Sequence, residues 1–316
     1  MTYRSLLVVC LATLGLAVAG WAQADGKIAF LSHREGYNDV WIMNADGSDP
    51  VNLTQGQYCA SPIWSPDGTK IAYLAFRADP ASGQVDYSIG DVWVMDPDGG
   101  NSQQMGSLTN PGHAYPLIWA EDGSLIYSIK YLTGRYEVFV VPLDGSGSAL
   151  MDWREAAWIV RGPVENLGRS PDGTKLASVV LQDSEGDAYL RLLIFSSSEW
   201  PYEREDRMNL VEDYRKIPLD LPQQTGRELE PGTFIGSRPE PAWSPDSMRI
   251  AFSARNEQRD EEVWVVDIDG SNLVNLTDGL GGDYPAWQPV SPSATATSVE
   301  AQSWGRIKAL LSTGIR

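Results

Sequence analysis

One cassette, running from Ser61 to Thr109, recurs along this chain, and its recurrence restricts the fold more than any other feature of the sequence. It holds two alternating apolar runs, Ile71-Ala72-Tyr73-Leu74 and Val92-Trp93-Val94-Met95. Each run adjoins a turn signal, Pro66-Asp67-Gly68 for the first and Asp96-Pro97-Asp98-Gly99 for the second. Alternation of this kind marks strands, and Asp-Gly pairs between such runs mark hairpins. With Pro62-Ile63-Trp64 as an inner strand A, the two runs as B and C, and Met105 to Leu108 as an outer strand D, the cassette reads as a four-stranded antiparallel meander.

The A-B turn recurs at Trp64 to Gly68, Trp119 to Gly123, Arg169 to Gly173 and Trp243 to Ser247. Strand C and its following turn recur at Asp39 to Gly47, Asp91 to Gly99, Glu137 to Gly145 and Glu262 to Gly270. Strand D closes on Leu53-Thr54, Leu108-Thr109 and Leu276-Thr277. The first copy begins at Gly26-Lys27-Ile28-Ala29-Phe30, a B strand without an A strand, and the last is an orphan A strand, Asp283 to Trp287. Each supplies what the other lacks. An all-β, closed β-propeller is therefore expected, its ring closed by N-terminal strands B to D pairing with the C-terminal strand A, because closure hides the edges an open sheet would expose. Five blades are counted, and six are possible if another hides in Ser196 to Gly236.

The repeats resemble those of the TolB family of bacterial periplasmic proteins. The resemblance rests on Trp243-Ser244-Pro245-Asp246, Ile250-Ala251-Phe252, Asp267 to Asn272, Leu276-Thr277 and Tyr284-Pro285-Ala286-Trp287, and extends over roughly Gly26 to Pro289. It covers the propeller only, without the α/β domain that precedes the propeller in TolB. Its implication is a propeller that binds other proteins outside the cytoplasm.

Four segments are expected. Residues 1–24 read as a signal peptide, with Arg4, an apolar run from Leu6 to Val18 that is short for a span of about 20 residues, and the site Ala22-Gln23-Ala24. Residues 25–289 form the propeller, 290–302 a flexible Ser/Thr/Ala linker, and 303–316 a basic amphipathic tail, expected to dock on an envelope component, in which Trp304, Ile307, Leu310 and Leu311 recur at helical spacing. The mature chain is expected in the periplasm or outside the cell, not integral to the membrane. Ser197 to Pro231 reads as a solvated insertion that includes a D strand, Arg215 to Leu219.

A net charge of −18 argues against nucleic acid and anionic membrane surfaces as partners. Cys59 is the one cysteine left after processing, so no disulfide framework forms. Trp41, Trp93 and Trp264 share a C-strand position, while Trp64, Trp119, Trp243 and Trp287 share the end of strand A, a pattern that marks packing between blades. The Asp-x-Asp-Gly turns lack the later ligands of a calcium loop and read as hairpin turns. Asn52-Leu53-Thr54 and Asn275-Leu276-Thr277 match the glycosylation sequon but occupy the strand-D position of the repeat.

Binding is expected on the face carrying the D-A and B-C loops, since those loops vary while the A-B turns are uniform. The B-C loops are expected at Ser32 to Asn38, Arg77 to Gly90, Tyr131 to Tyr136, Gln182 to Ala188 and Ala254 to Glu261. Candidate binding residues are Arg34, Tyr37, Tyr58, Arg77, Tyr87, His113, Tyr115, Arg135, Arg238, Asp283 and Tyr284. No catalytic or metal-ligating residue and no cofactor is assigned. The two histidines, His33 and His113, lie in different repeats, and no zinc or nucleophile-elbow motif occurs. The expected function is a non-catalytic scaffold for a protein or peptide, engaged through the loop face and channel mouth. The alternatives are a lyase-like carbohydrate-active propeller with a metal in its channel and a calcium-stabilised binding module.

Overall fold

The computed structural model describes residues 26–78, 82, 84–108, 113–114, 118–119, 125–130, 136–144, 146, 149–151, 167–184, 187–196, 214–219, 221, 241–258 and 260–290. The expected signal peptide, the tail, most of the linker and most of the 197–231 insertion lie outside them.

Among the described residues all regular structure is β, and every strand pairing is antiparallel. The first sheet holds β1 (Lys27–Ser32), β2 (Asp39–Asn44) and β3 (Val51–Asn52). The second is β4 (Tyr58–Trp64), β5 (Ile71–Ala78), β6 (Val85–Met95) and β7 (Gln103–Leu108). In the third, β8 (His113–Ala114) and β9 (Ile118–Trp119) both pair with β10 (Leu125–Lys130), followed by β11 (Tyr136–Val141) and β12 (Ala149–Met151). The fourth is β13 (Leu167–Arg169), β14 (Lys175–Ser184), β15 (Asp187–Ser196) and β16 (Tyr214–Pro218). The fifth is β17 (Ala242–Trp243), β18 (Arg249–Arg255), β19 (Glu261–Asp267) and β20 (Val274–Asn275). The last strand, β21 (Asp283–Trp287), pairs with β1, setting Ile28 opposite Trp287 and Ala29 opposite Ala286.

Period-two alternation explains how the sheets meet. Along β1, Ile28 and Phe30 face one way and join Ala251, Val263 and Val265 of the fifth sheet, whereas Ala29 and Leu31 face the other and join Ile71, Tyr73 and Met95 of the second. A strand covered on both faces has no polar side, which is why Ile28 to Ser32 are all buried. Ala72, Leu74, Val92 and Val94 of the second sheet meet Val141 of the third, and Ile250, Phe252 and Val266 of the fifth meet Ala177 of the fourth. Apolar contact thus links the sheets in the order third, second, first, fifth, fourth. Each fully buried Phe or Ile in these seams contributes about 1.5–3 kcal/mol.

Two strand-B to strand-C connections are shorter than the sequence suggests. Arg77 pairs with Asp86 and Ala78 with Val85, so the expected loop 77–90 is largely a two-stranded ribbon, irregular where the register shifts after Phe76. Likewise Gln182, Asp183 and Ser184 continue the ladder to Tyr189, Ala188 and Asp187. The reason is local: β-branched, aromatic and alternating residues extend the hairpin beyond the seam, and in the second sheet Arg77 and Asp86 face water there. Arg77, Tyr87 and His113 therefore lie in strands rather than loops.

Candidate functional site

The repeated turns satisfy themselves. In the A-B turn of the second sheet, Asp67 Oδ1 accepts from Ser65 Oγ at 2.6 Å, Thr69 N at 3.0 Å and Thr69 Oγ1 at 2.8 Å. Ser170, Asp172 and Thr174 repeat the arrangement, and Ser244 and Asp246 repeat it around Met248 N. The C-D turns are built similarly, with Asp46, Asp98 and Asp269 each accepting from the backbone two residues on. Short serine and threonine donors hold Asp67 below the usual carboxylate range, as Ser48 does for Asp46 and Ser146 for Asp144. These carboxylates act as turn locks. Among the described residues no group of three or more His, Cys, Asp or Glu side chains is placed to hold a metal.

A second device is buried. The Asp39 carboxylate, fully buried, accepts from Thr54 Oγ1 at 2.8 Å, Gly56 N at 2.8 Å, Gln57 N at 2.9 Å and Asn52 Nδ2 at 2.9 Å. Thr54 Oγ1 in turn accepts from Val40 N at 3.0 Å. In the fifth sheet Glu262 takes the place of Asp39, accepting from Thr277 Oγ1 and from Gly279 N at 2.9 Å, and Thr277 Oγ1 accepts from Val263 N at 3.0 Å. The side chains of Asn52 and Asn275 accept from the backbone of Thr54 and Thr277. The Asn-Leu-Thr triplets therefore tie strand D to strand C. Sequence reasoning missed this clamp, although the joint recurrence of an acid at the start of strand C and Leu-Thr at the end of strand D carries it.

On the loop face the structure brings three of the expected residues to the first two sheets. Tyr37 and Tyr58 meet edge to face, with ring centroids 5.2 Å apart. Arg34 lies over Trp41, its guanidinium carbon 4.3 Å from the ring centroid, and donates through Nε to Ser32 Oγ at 3.0 Å. Burial lowers the Arg34 pKa, while the charges of Glu262 and Glu35 oppose that shift. Three loop-face arginines differ in one respect. Arg77 is bidentate to Asp91 and Arg255 bonds Glu261 at 3.1 Å, but Arg34 has no carboxylate within salt-bridge distance among the described residues. Asp283 accepts from Tyr284 N at 2.8 Å. Tyr115, Arg135 and Arg238 lie outside the described residues, and of Tyr87 and His113 only the backbone is described.

The inner strands enclose a cavity of about 320 Å³ lined by β4, β17 and β21 together with Pro171, Pro241, Pro245 and Pro289. Of the expected binding residues, Tyr284 lines it. Both Ser61 and Tyr284 precede a proline and adopt positive φ, 50° and 51°. Each sits where its strand slips register, between Ala60 and Ile63 against β5 and opposite the Ala29 to Leu31 step of β1. A bulge suits proline, which has no N–H for the ladder, and it bends the inner strand. An aromatic residue at positive φ is a strained arrangement that the surrounding packing must hold. At the end of strand A the indole nitrogens bridge sheets. Trp64 Nε1 donates to Ala286 O at 3.1 Å and Trp119 Nε1 to Ile63 O at 3.5 Å, and each acceptor precedes the next tryptophan of the repeat.

No family model matches this sequence. A TolB homolog of Chlorobium luteolum is 27% identical over 154 residues, 48% of this chain and 31% of that protein. The Tol-Pal system protein TolB of Methylobacillus flagellatus is 36% identical over 52 residues, 16% of this chain and 12% of that protein. The matched region thus spans less than a third of either relative. Among solved structures, TolB from Acinetobacter baumannii is 17% identical with a TM-score of 0.42, covering 84% of this chain and 67% of that one. What the repeats of this chain are similar to in sequence is TolB.

Proposed function

We propose that the sheets close into a five-bladed, TolB-like β-propeller that acts outside the cytoplasm as a non-catalytic scaffold, binding a protein or peptide through the face that carries Arg34, Tyr37 and Tyr58. Closure is supported by the pairing of β21 with β1 and by the indole bridges between successive inner strands. An extracytoplasmic setting is supported by the likeness to TolB and by the leader-like residues 1–24. The binding role rests on one observation. Arg34 is a half-buried cation, stacked on Trp41 and without a carboxylate partner among the described residues, while the neighbouring Tyr37 is 41% exposed. Aromatic and arginine side chains in that state carry much of the energy of protein interfaces, and an incoming carboxylate would complete the charge pairing that Arg77 and Arg255 already have.

The test is capture from an envelope extract by the immobilised full chain, compared with Arg34→Glu and with Tyr37→Ala. Capture of the same partner should fall about tenfold or more in each variant, as truncation of an interface anchor costs about 2 kcal/mol. Equal capture by wild type and both variants would reject this face as the interface.

A further inference from the structure

The cavity among the inner strands is unlike the loop face: it lies toward the A-B turns and is walled by Pro62, Trp64, Trp243, Tyr284, Trp287 and Pro289. Its volume of about 320 Å³ is at the small end of ligand sites, roughly 300–1,000 Å³, so it accommodates one or two large side chains. The N–H of Trp64, on its wall, is already committed to Ala286, which leaves an apolar chamber suited to an apolar occupant.

We propose that this chamber is the docking site of the chain's own C-terminal segment, residues 303–316, with Trp304 as the anchor. Three observations support it. The described chain leaves from the rim, since Trp287 and Pro289 are wall residues and Val290 is half exposed. Residues 291–303 are rich in Ser, Thr and Ala, and a flexible linker of that length reaches about 20 Å, holding the tail at roughly millimolar local concentration. Finally, the tail carries Arg306, Lys308 and Arg316 and no acid on a chain of net charge −18, while the turns beside the chamber expose Asp67 and Asp246, with Asp172 paired to Lys175. Ser65 and the other turn donors keep Asp67 ionised well into acid. The apolar anchor thus matches the apolar chamber, and the basic flank the net negative charge of the chain. A docked tail occupies the turn end of the inner strands and leaves the loop face open, so the inference stands apart from the proposed partner site.

Hydrogen exchange on the unmodified mature chain gives the first reading. Backbone amides of residues 303–311 should exchange about tenfold or more slowly than in a free peptide of the same sequence. Free-peptide rates would overturn the proposal. Disulfide trapping in the full chain locates the contact. Ser303→Cys with Met248→Cys, three residues beyond the wall residue Pro245, should cross-link within one chain. Ser303→Cys with Val274→Cys, equally exposed on the outer strand of the same sheet, should not. Cys59 does not compete, being buried with its thiol pushed up to about 12. Equal trapping at both positions, or trapping between two chains, would overturn docking in the chamber.

Discussion

Trp64 Nε1 donates to the carbonyl of Ala286 across 3.1 Å, joining two inner strands whose residues lie 222 positions apart in the chain. Trp64→Phe keeps most of the ring's volume and removes the donor, while Ala286 stays in the ladder opposite Ala29. The expected loss is about 0.5–1.5 kcal/mol in urea unfolding. Trp64→Ala empties the seam as well and should cost about 3–5 kcal/mol. If both variants unfold at the wild-type midpoint, the indole bridge contributes nothing to the union of the first two sheets.

The clamp at Asp39 makes a sharper prediction. Asp39→Ala strands Thr54 Oγ1 and the N–H groups of Gly56 and Gln57, all of which this fully buried carboxylate accepts. Roughly 3 kcal/mol should be lost, since bonds to a charged group contribute about 1.5–3 kcal/mol and buried donors are left unpaired. Thr54→Val, which leaves the carboxylate its backbone donors, should cost less. Equilibrium unfolding of the two variants orders them.

Much of the architecture is legible in the sequence because it comes from short-range signals that repeat. The turns at Asp67, Asp172 and Asp246 are locked by side chains within five residues, and the orphan strand at Asp283 announces its partner. The clamps were less legible because each joins residues 15 apart, Asp39 with Thr54 and Glu262 with Thr277, across an intervening hairpin. The chamber was not legible at all. Its walls come from strands near residues 60, 243 and 286, and the positive φ of Tyr284 has no compositional mark. Loop lengths misled for a further reason: polar residues such as Gln182 and Asp183 are compatible with a paired ribbon as well as with a loop.

Gly68 and Gly36 separate backbone strain from steric contact. Both have positive φ, 69° and 91°, so alanine at either costs about 1–2 kcal/mol in backbone conformation. A Cβ at Gly36 meets nothing within 4 Å, whereas one at Gly68 would come within 2.4 Å of Pro289 O. Gly68→Ala should therefore be the more destabilising by a further 1–3 kcal/mol or so, with thermal unfolding as the measure.

Acid should weaken the fold through the turn locks. The Asp46, Asp67, Asp144 and Asp172 carboxylates are held below the ordinary aspartate value of 3.8 by hydrogen bonds that outweigh the opposing effect of burial, which is greatest relative to any one bond at Asp172. Their native forms bind protons less readily than the unfolded chain does. The stability they supply is thus present above that value and is lost as pH falls through their lower native values. The unfolding midpoint should drop steeply below about pH 4, and Asp67→Asn should make that drop shallower. A slope unchanged by Asp67→Asn would remove this turn from the explanation.

The Cys59 thiol, 1% exposed and shifted to about 12 chiefly by burial, should resist thiol reagents at neutral pH until the protein opens. Labelling that follows the unfolding rate confirms it; labelling at the rate of a free thiol would contradict the buried placement.

The pairing of Ile28 with Trp287 imposes a timetable on folding. Strands β1 to β3 can form a hairpin stack as soon as they are synthesised, but the inner edge of β1 has no partner until residues 283–287 arrive. Until then β1 carries an open edge whose centre, Ile28 to Leu31, is apolar, the kind of surface that chaperones recognise and that aggregates when synthesis stalls. Among the described pairings, that of β1 with β21 has the greatest sequence separation, so it carries the largest loop-closure entropy.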